Sequence, residues 1–186
     1  MRRSPRPERT PRVPAEVVTA AGFGGRDRLL AAAAVPPEGS WLLAGTLTLA
    51  LVDGRRGPTW RRAWHEIDRA SWDREPAQLT VTWVDGTPPS RWPLAGAREF
   101  LLVLRERVQA SVVAVQTVPL PGRRTARAVL RLDLATRAPF EQLLPGPGGR
   151  LDPSARAATE AAFARLWDDI GIPPQDRRRR ASSSSD

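Results

Sequence analysis

The chain has 186 residues and a formal net charge of +9, and every basic side chain except that of its one histidine is an arginine. It contains no cysteine, lysine, tyrosine or asparagine. The absence of cysteine and lysine excludes a disulfide framework, a thiolate metal site and a lysine Schiff base. Because there is one histidine, a metal site built from several histidines of one chain is also excluded. The codons of lysine, tyrosine and asparagine are A/T-rich, so part of the arginine excess reflects codon usage in a GC-rich genome.

Both ends differ in composition from the middle. Residues 1–14 carry five arginines, four prolines and one acidic residue, and residues 173–186 carry four adjacent arginines and four adjacent serines. Such segments lack the apolar surface needed to fold. We predict a disordered basic, proline-rich tail and lead-in segment (1–25), a barrel with its capping helix (26–113), β-strands and a C-terminal helix packed on it (114–172), and a disordered Arg/Ser tail (173–186).

Seven short strands are predicted in the first half of the chain. Alternating apolar residues and turn signals place them at 28–35, 40–44, 46–52, 78–84 and 90–94, with two more in 60–72 separated by a break near Asp68. In the third strand, alternation puts Leu47, Leu49 and Leu51 on one face. The roughly ten-residue spacing is typical of a small antiparallel barrel or sandwich.

The period then changes to that of a helix. Apolar residues from 97 to about 110 repeat at helical spacing, and strands are predicted at 112–118, 125–134 and 140–144. A last helix is predicted with Asp152 as its N-cap, Pro153 at its first position and Gly171 at C′.

The central strands carry a motif. Residues 64–67 read Trp-His-Glu-Ile, residues 72–73 read Trp-Asp, and residues 79–86 read Leu-Thr-Val-Thr-Trp-Val-Asp-Gly. With residues 105–113 and 118–122, this pattern resembles an uncharacterised actinobacterial family of small proteins with a pleckstrin-homology-like domain, over residues 26–170.

The resemblance implies an α+β fold. It would contain a pleckstrin-homology-like, small antiparallel β-barrel capped by one helix, with a C-terminal β-hairpin/helix extension. It implies no catalytic residues. Eukaryotic relatives that bind phosphoinositides use basic residues in the first strand–strand loop, and here residues 36–39 contain none. Phosphoinositide binding by that route is therefore disfavoured.

Candidate catalytic groups are sparse. His65 lies next to Glu66, but adjacent strand residues point to opposite faces, and Glu66 with Asp68 is better explained as a charged, solvated strand. No nucleophile elbow or phosphate-binding glycine loop occurs. We predict no catalytic residue, no metal site and no cofactor.

A basic and aromatic hairpin is the candidate binding site. Its residues are Arg55, Arg56, Trp60, Arg61 and Arg62. Such a surface could stack on bases or hold an acidic partner, whereas the plainer interpretation is a solvated hairpin enriched in arginine by codon usage.

Three functions follow from these patterns. The first is a non-enzymatic binding or scaffold module with an unknown protein partner. The second is weak binding to nucleic acid or an anionic surface through the hairpin and the tails. The third is an unrecognised small-molecule enzyme. The longest apolar runs, 29–35 and 100–104, are too short to span a bilayer, and residues 1–14 do not form a secretory signal, so we expect a cytoplasmic protein without a transmembrane segment.

Overall fold

The computed structural model describes residues 12–94, 96–146 and 153–171. The Arg/Ser tail, most of the N-terminal tail and the N-cap Asp152 lie outside these residues. The chain divides into two compact units, Met1–Arg107 and Val108–Asp186. The sequence analysis divided the chain after residue 113, whereas these two units meet after Arg107.

The first unit contains two antiparallel sheets. Its elements are α1 (Ala15–Ala20), β1 (Leu29–Val35), β2 (Ser40–Gly45), β3 (Thr48–Asp53), β4 (Gly57–Ala63), β5 (Ile67–Asp73), β6 (Gln78–Trp83), β7 (Ser90–Pro93) and α2 (Arg98–Ala110), whose last turn belongs to the second unit. Strands β1 to β4 form one sheet in chain order, and β5 to β7 form the other. The seven predicted strands and the helix after them are confirmed.

The four-stranded sheet is buried on both faces at its second strand. Every residue of β2 is buried. Trp41 and Leu43 of that strand, with Ala50 and Val52 of β3, form a core cluster against which Val17 packs from α1. The prediction placed Leu47, Leu49 and Leu51 on one face of the third strand. Ala50 and Val52 are buried as well, because a short helix that we did not predict, within the lead-in segment, covers their side of the sheet.

The break in residues 60–72 lies earlier than predicted. Trp64–Glu66 form a 3₁₀ turn between β4 and β5. Trp64 is fully buried, and its Nε1–H donates to the Gly45 carbonyl at 3.2 Å. Glu66 Oε1 accepts the Ala63 N–H at 2.7 Å, which closes the turn. Asp68, the predicted break, lies within β5 at a register shift.

The second unit is a three-stranded sheet with one helix. It contains β8 (Val112–Leu120), β9 (Arg124–Leu132), β10 (Pro139–Pro145) and α3 (Pro153–Asp169), and β9 is the central strand. Phe163, Leu166 and Trp167 of α3 pack on Ala128 and Leu130 of β9. The predicted strands and last helix are confirmed.

The architecture is α+β with three antiparallel sheets, as predicted at that level. The strand ladders of the described residues do not close into a barrel. No helix in the described part of the chain is long and apolar enough to cross a membrane.

Candidate functional site

The predicted basic hairpin is formed by β3 and β4, and Arg55 and Arg56 lie at its tip. Asp53 Oδ1 accepts the backbone N–H groups of Arg55 at 2.8 Å and Arg56 at 3.0 Å, and these hydrogen bonds lower the pKa of Asp53. Both arginine side chains are exposed and have no hydrogen bond or ion pair to any described residue. They are therefore available to a ligand.

The hairpin tip packs against the β1–β2 turn. A Cβ on Gly54 would lie 2.5 Å from the Gly39 carbonyl carbon and 2.8 Å from the Glu38 oxygen, so only glycine permits this approach. The Gly54 N–H also donates to Ser40 Oγ at 3.0 Å. These contacts hold Arg55 beside the first strand–strand turn.

Arg61 belongs to the fold rather than to a free surface. Its guanidinium donates to Thr48 Oγ1 at 2.8 Å, the Gly22 carbonyl at 2.7 Å and Asp27 Oδ2 at 2.5 Å. The same group lies 5.2 Å from the centre of the Phe23 ring. Because its planar guanidinium bonds to all these partners, Arg61 holds the segment that contains Gly22 and Asp27 on β3 and β4.

Asp27 is the centre of that contact. Its side chain is 5% exposed and also accepts the Leu47 N–H at 2.8 Å and Thr48 Oγ1–H at 2.5 Å. Burial alone would raise the pKa of Asp27, but the hydrogen bonds from Thr48, Leu47 and Arg61 outweigh it, and the pKa lies below its ordinary value.

Arg62 is held by the three-stranded sheet. Its guanidinium carbon lies 4.4 Å from the centre of the Trp83 ring, and Nη2 donates to Asp85 Oδ2 at 2.9 Å. Hydrogen bonds from the Thr87 hydroxyl and N–H, with the Arg62 contact, lower the pKa of Asp85 to about 2. Arg62 is thus a structural cation whose main partners are Trp83 and Asp85.

Trp60 is part of an aromatic cluster that joins the two sheets. Its ring meets Trp83 edge-on at 5.3 Å between centroids and lies 6.1 Å from Trp92. Trp83 and Trp92 are buried. Trp60 is half-buried, so most of its surface serves packing rather than stacking with a ligand.

The acid–base candidates are dispersed. His65 and Glu66 lie in the 3₁₀ turn rather than on a regular strand, and one Glu66 oxygen is bonded to the Ala63 N–H. Within the described ranges, no group of three or more His, Cys, Asp and Glu side chains could hold a metal ion.

An apolar cleft of about 560 Å³ opens beside the β1–β2 turn. The β1–β2 turn, the β5–β6 turn and the end of β7 line it through Ala34, Val35, Pro36, Glu38, Gly39, Pro76, Ala77, Pro93 and Leu94. Gly39 belongs to both the cleft and the contact with the hairpin tip. The hairpin tip that carries Arg55 and Arg56 therefore contacts a turn that lines the cleft.

This cleft was not predicted. Its prolines were interpreted only as turn signals, and the approach of two turns that are distant in sequence could not be inferred from local patterns. Of the five predicted binding residues, Arg55 and Arg56 lie at the exposed hairpin tip. Trp60 and Arg62 contact Trp83, and Arg61 is bonded to Asp27.

Comparison of the chain with protein-family models, curated proteins and solved structures found no match. The resemblance to a pleckstrin-homology-like family rests on the residue pattern alone.

Proposed function

We propose that the chain is a non-catalytic binding module that holds an apolar segment of a cytoplasmic protein partner in the cleft. The observation that carries this proposal is the cleft itself, an apolar surface between turns, one of which contacts the hairpin tip with its two exposed arginines. Apolar surface supplies contact area, and exposed cations select acidic residues near the bound segment.

We also propose that the first unit is pleckstrin-homology-like. Sheets of four and then three consecutive antiparallel strands, followed by a helix, give the element order of that fold. On this view the cleft lies at one end of the paired sheets. The actinobacterial resemblance agrees with this order.

The electrostatics favour binding over catalysis. Among the described residues, the carboxylates whose pKa values are clearly shifted are Asp27, Asp53 and Asp85. All are shifted downward and accept hydrogen bonds from turns or arginines. None is thereby moved toward neutral pH, where a general base operates best. These shifts are explained by structural contacts.

Weak binding to nucleic acid or an anionic surface is the second candidate. It is favoured by the unpartnered side chains of Arg55 and Arg56. It is weakened by Arg61 and Arg62, whose charges are compensated by Asp27 and Asp85.

One capture experiment separates the two candidates. The full chain is used to capture partners from its host's lysate, with and without nuclease, as wild type, Ala34→Glu, Arg55→Ala/Arg56→Ala and Ser71→Glu. Ala34 lines the cleft, whereas Ser71 is exposed on β5 outside it.

The proposal expects a nuclease-resistant protein that Ala34→Glu loses by at least about tenfold, and that the control Ser71→Glu retains. Retention unchanged by Ala34→Glu, but removed by nuclease or by the double arginine variant alone, would favour the second candidate and refute the first.

A further inference from the structure

The second unit has a groove of its own between β10 and α3. It measures about 400 Å³, and its lining includes Glu141, Leu143, Arg156, Glu160, Phe163 and Trp167. Phe163 and Trp167 are 8% and 3% exposed, so they form an aromatic floor. One wall is an edge strand, because β10 pairs only with β9 among the described strands.

The hydrogen-bond register identifies which β10 groups face outward. The Gly146 N–H donates to the Thr125 carbonyl at 2.9 Å, directly after the β10–β9 ladder. Because antiparallel strands alternate, even-numbered residues of β10 bond to β9 and odd-numbered ones face away. Pro139 and Pro145 lack an N–H, as edge positions tolerate. The outward N–H donors are therefore those of Glu141 and Leu143.

Those two residues also line the groove with their side chains. An extended peptide hydrogen-bonded to β10 would place two of its side chains, two residues apart, opposite Glu141 and Leu143. The flanking prolines limit the pairing to this short segment, which favours a short peptide over an extended added strand.

The groove is lined by two acidic side chains and one basic side chain. Trp167 Nε1–H donates to Glu141 Oε1 at 2.7 Å, which orients that carboxylate in the groove. Glu160 has no side-chain partner within the described residues, and neither has Arg156 one helical turn earlier. The carboxylates of Glu141 and Glu160 favour one cationic side chain in the ligand. The positive charge of Arg156 disfavours a second cationic side chain.

We propose that this groove binds a short extended peptide of a partner protein by strand addition to β10. The peptide carries an arginine or lysine opposite Glu141 and an apolar side chain two residues away, opposite Leu143. This site is independent of the apolar cleft in the first unit, so either proposal can fail without the other.

The test uses two pentapeptides, acetylated and amidated at their ends, with the sequences Thr-Arg-Thr-Val-Thr and Thr-Val-Thr-Arg-Thr. The two sequences cover parallel and antiparallel pairing of the peptide with β10. Each is matched by a peptide with citrulline, the neutral isostere of arginine. Amide chemical shifts of the ¹⁵N-labelled full chain are titrated, as wild type, Glu141→Gln and Asp169→Asn. Glu141→Gln keeps an acceptor for Trp167, and Asp169 is an exposed carboxylate outside the groove.

We expect one arginine peptide to shift the Glu141 and Leu143 amides, with about fivefold weaker binding for its citrulline form and for Glu141→Gln. Asp169→Asn should bind like wild type. The proposal is overturned if neither peptide shifts these amides, if citrulline binds equally well, or if Asp169→Asn weakens binding as much as Glu141→Gln.

Discussion

Asp27 connects several parts of the first unit through one side chain. One nearly buried carboxylate accepts hydrogen bonds from Arg61, Thr48 and the Leu47 N–H. These bonds connect the segment after α1 to β3 and β4. The position of Arg61, predicted as a ligand contact, is explained by this carboxylate.

Replacing Asp27 with alanine should lower the free energy of unfolding by about 2–3 kcal/mol, because it leaves several donors without an acceptor. Urea denaturation measures the change. The control is Arg28→Ala, whose exposed side chain makes no hydrogen bond or ion pair to described residues. An equal loss in both variants would contradict the assigned role of Asp27.

The lowered pKa values of Asp27 and Asp85 predict an acid-sensitive fold. A carboxylate with a lower pKa when folded stabilises the protein fully above its unfolded pKa of about 4, and this contribution is lost as pH falls through the folded pKa. Unfolding free energy should therefore fall between about pH 4 and the folded pKa of Asp85, about 2.

In the variant Asp27→Asn/Asp85→Asn, the unfolding free energy should depend less steeply on pH in the same range. Denaturation at a series of pH values checks it. A slope unchanged from wild type would assign the acid sensitivity to other groups.

At the scale of elements, the contact between sheets depends on the tryptophans. Trp60 of β4 meets Trp83 of β6 and Trp92 of β7, so an edge strand of one sheet is packed against the other sheet. Arg62, two residues along on the same face, covers Trp83. One face of β4, at Trp60 and Arg62, is thus held against the other sheet.

Trp60→Ala should cost about 2 kcal/mol of unfolding free energy, because it removes aromatic contacts from a half-buried position. Trp72→Ala, at a side chain 38% exposed, should cost less than about 1 kcal/mol. Thermal denaturation of both variants provides the comparison. A larger loss for Trp72 would contradict the assignment of Trp60 to the packed cluster.

The elements were predictable where local signals dominate. Alternation identified the seven strands, and helical spacing with Pro153 and Gly171 identified α3. The helix α1 was missed because its six residues give too short a period, and its stabilisation comes from packing on Trp41 and Val52. The roles of Arg61 and Arg62 were missed because Asp27 and Asp85 are distant in sequence.

For the whole molecule, the charge of +9 is less informative than it first appears. Of the four hairpin arginines, two are paired with carboxylates inside the first unit. The remaining pair, Arg55 and Arg56, lies at the hairpin tip, which contacts a turn that lines the apolar cleft. This arrangement favours a protein ligand over a polyanion, whose binding needs many cations along one track.

The most direct test of the central claim is photo-cross-linking inside the host. A photoreactive amino acid replaces Ala34 at the cleft, or Ser71 as the exposed control outside it. The account predicts a discrete protein adduct from position 34 that is absent from position 71. Adducts of equal yield from both positions, or nucleic acid as the cross-linked species at position 34, would contradict it.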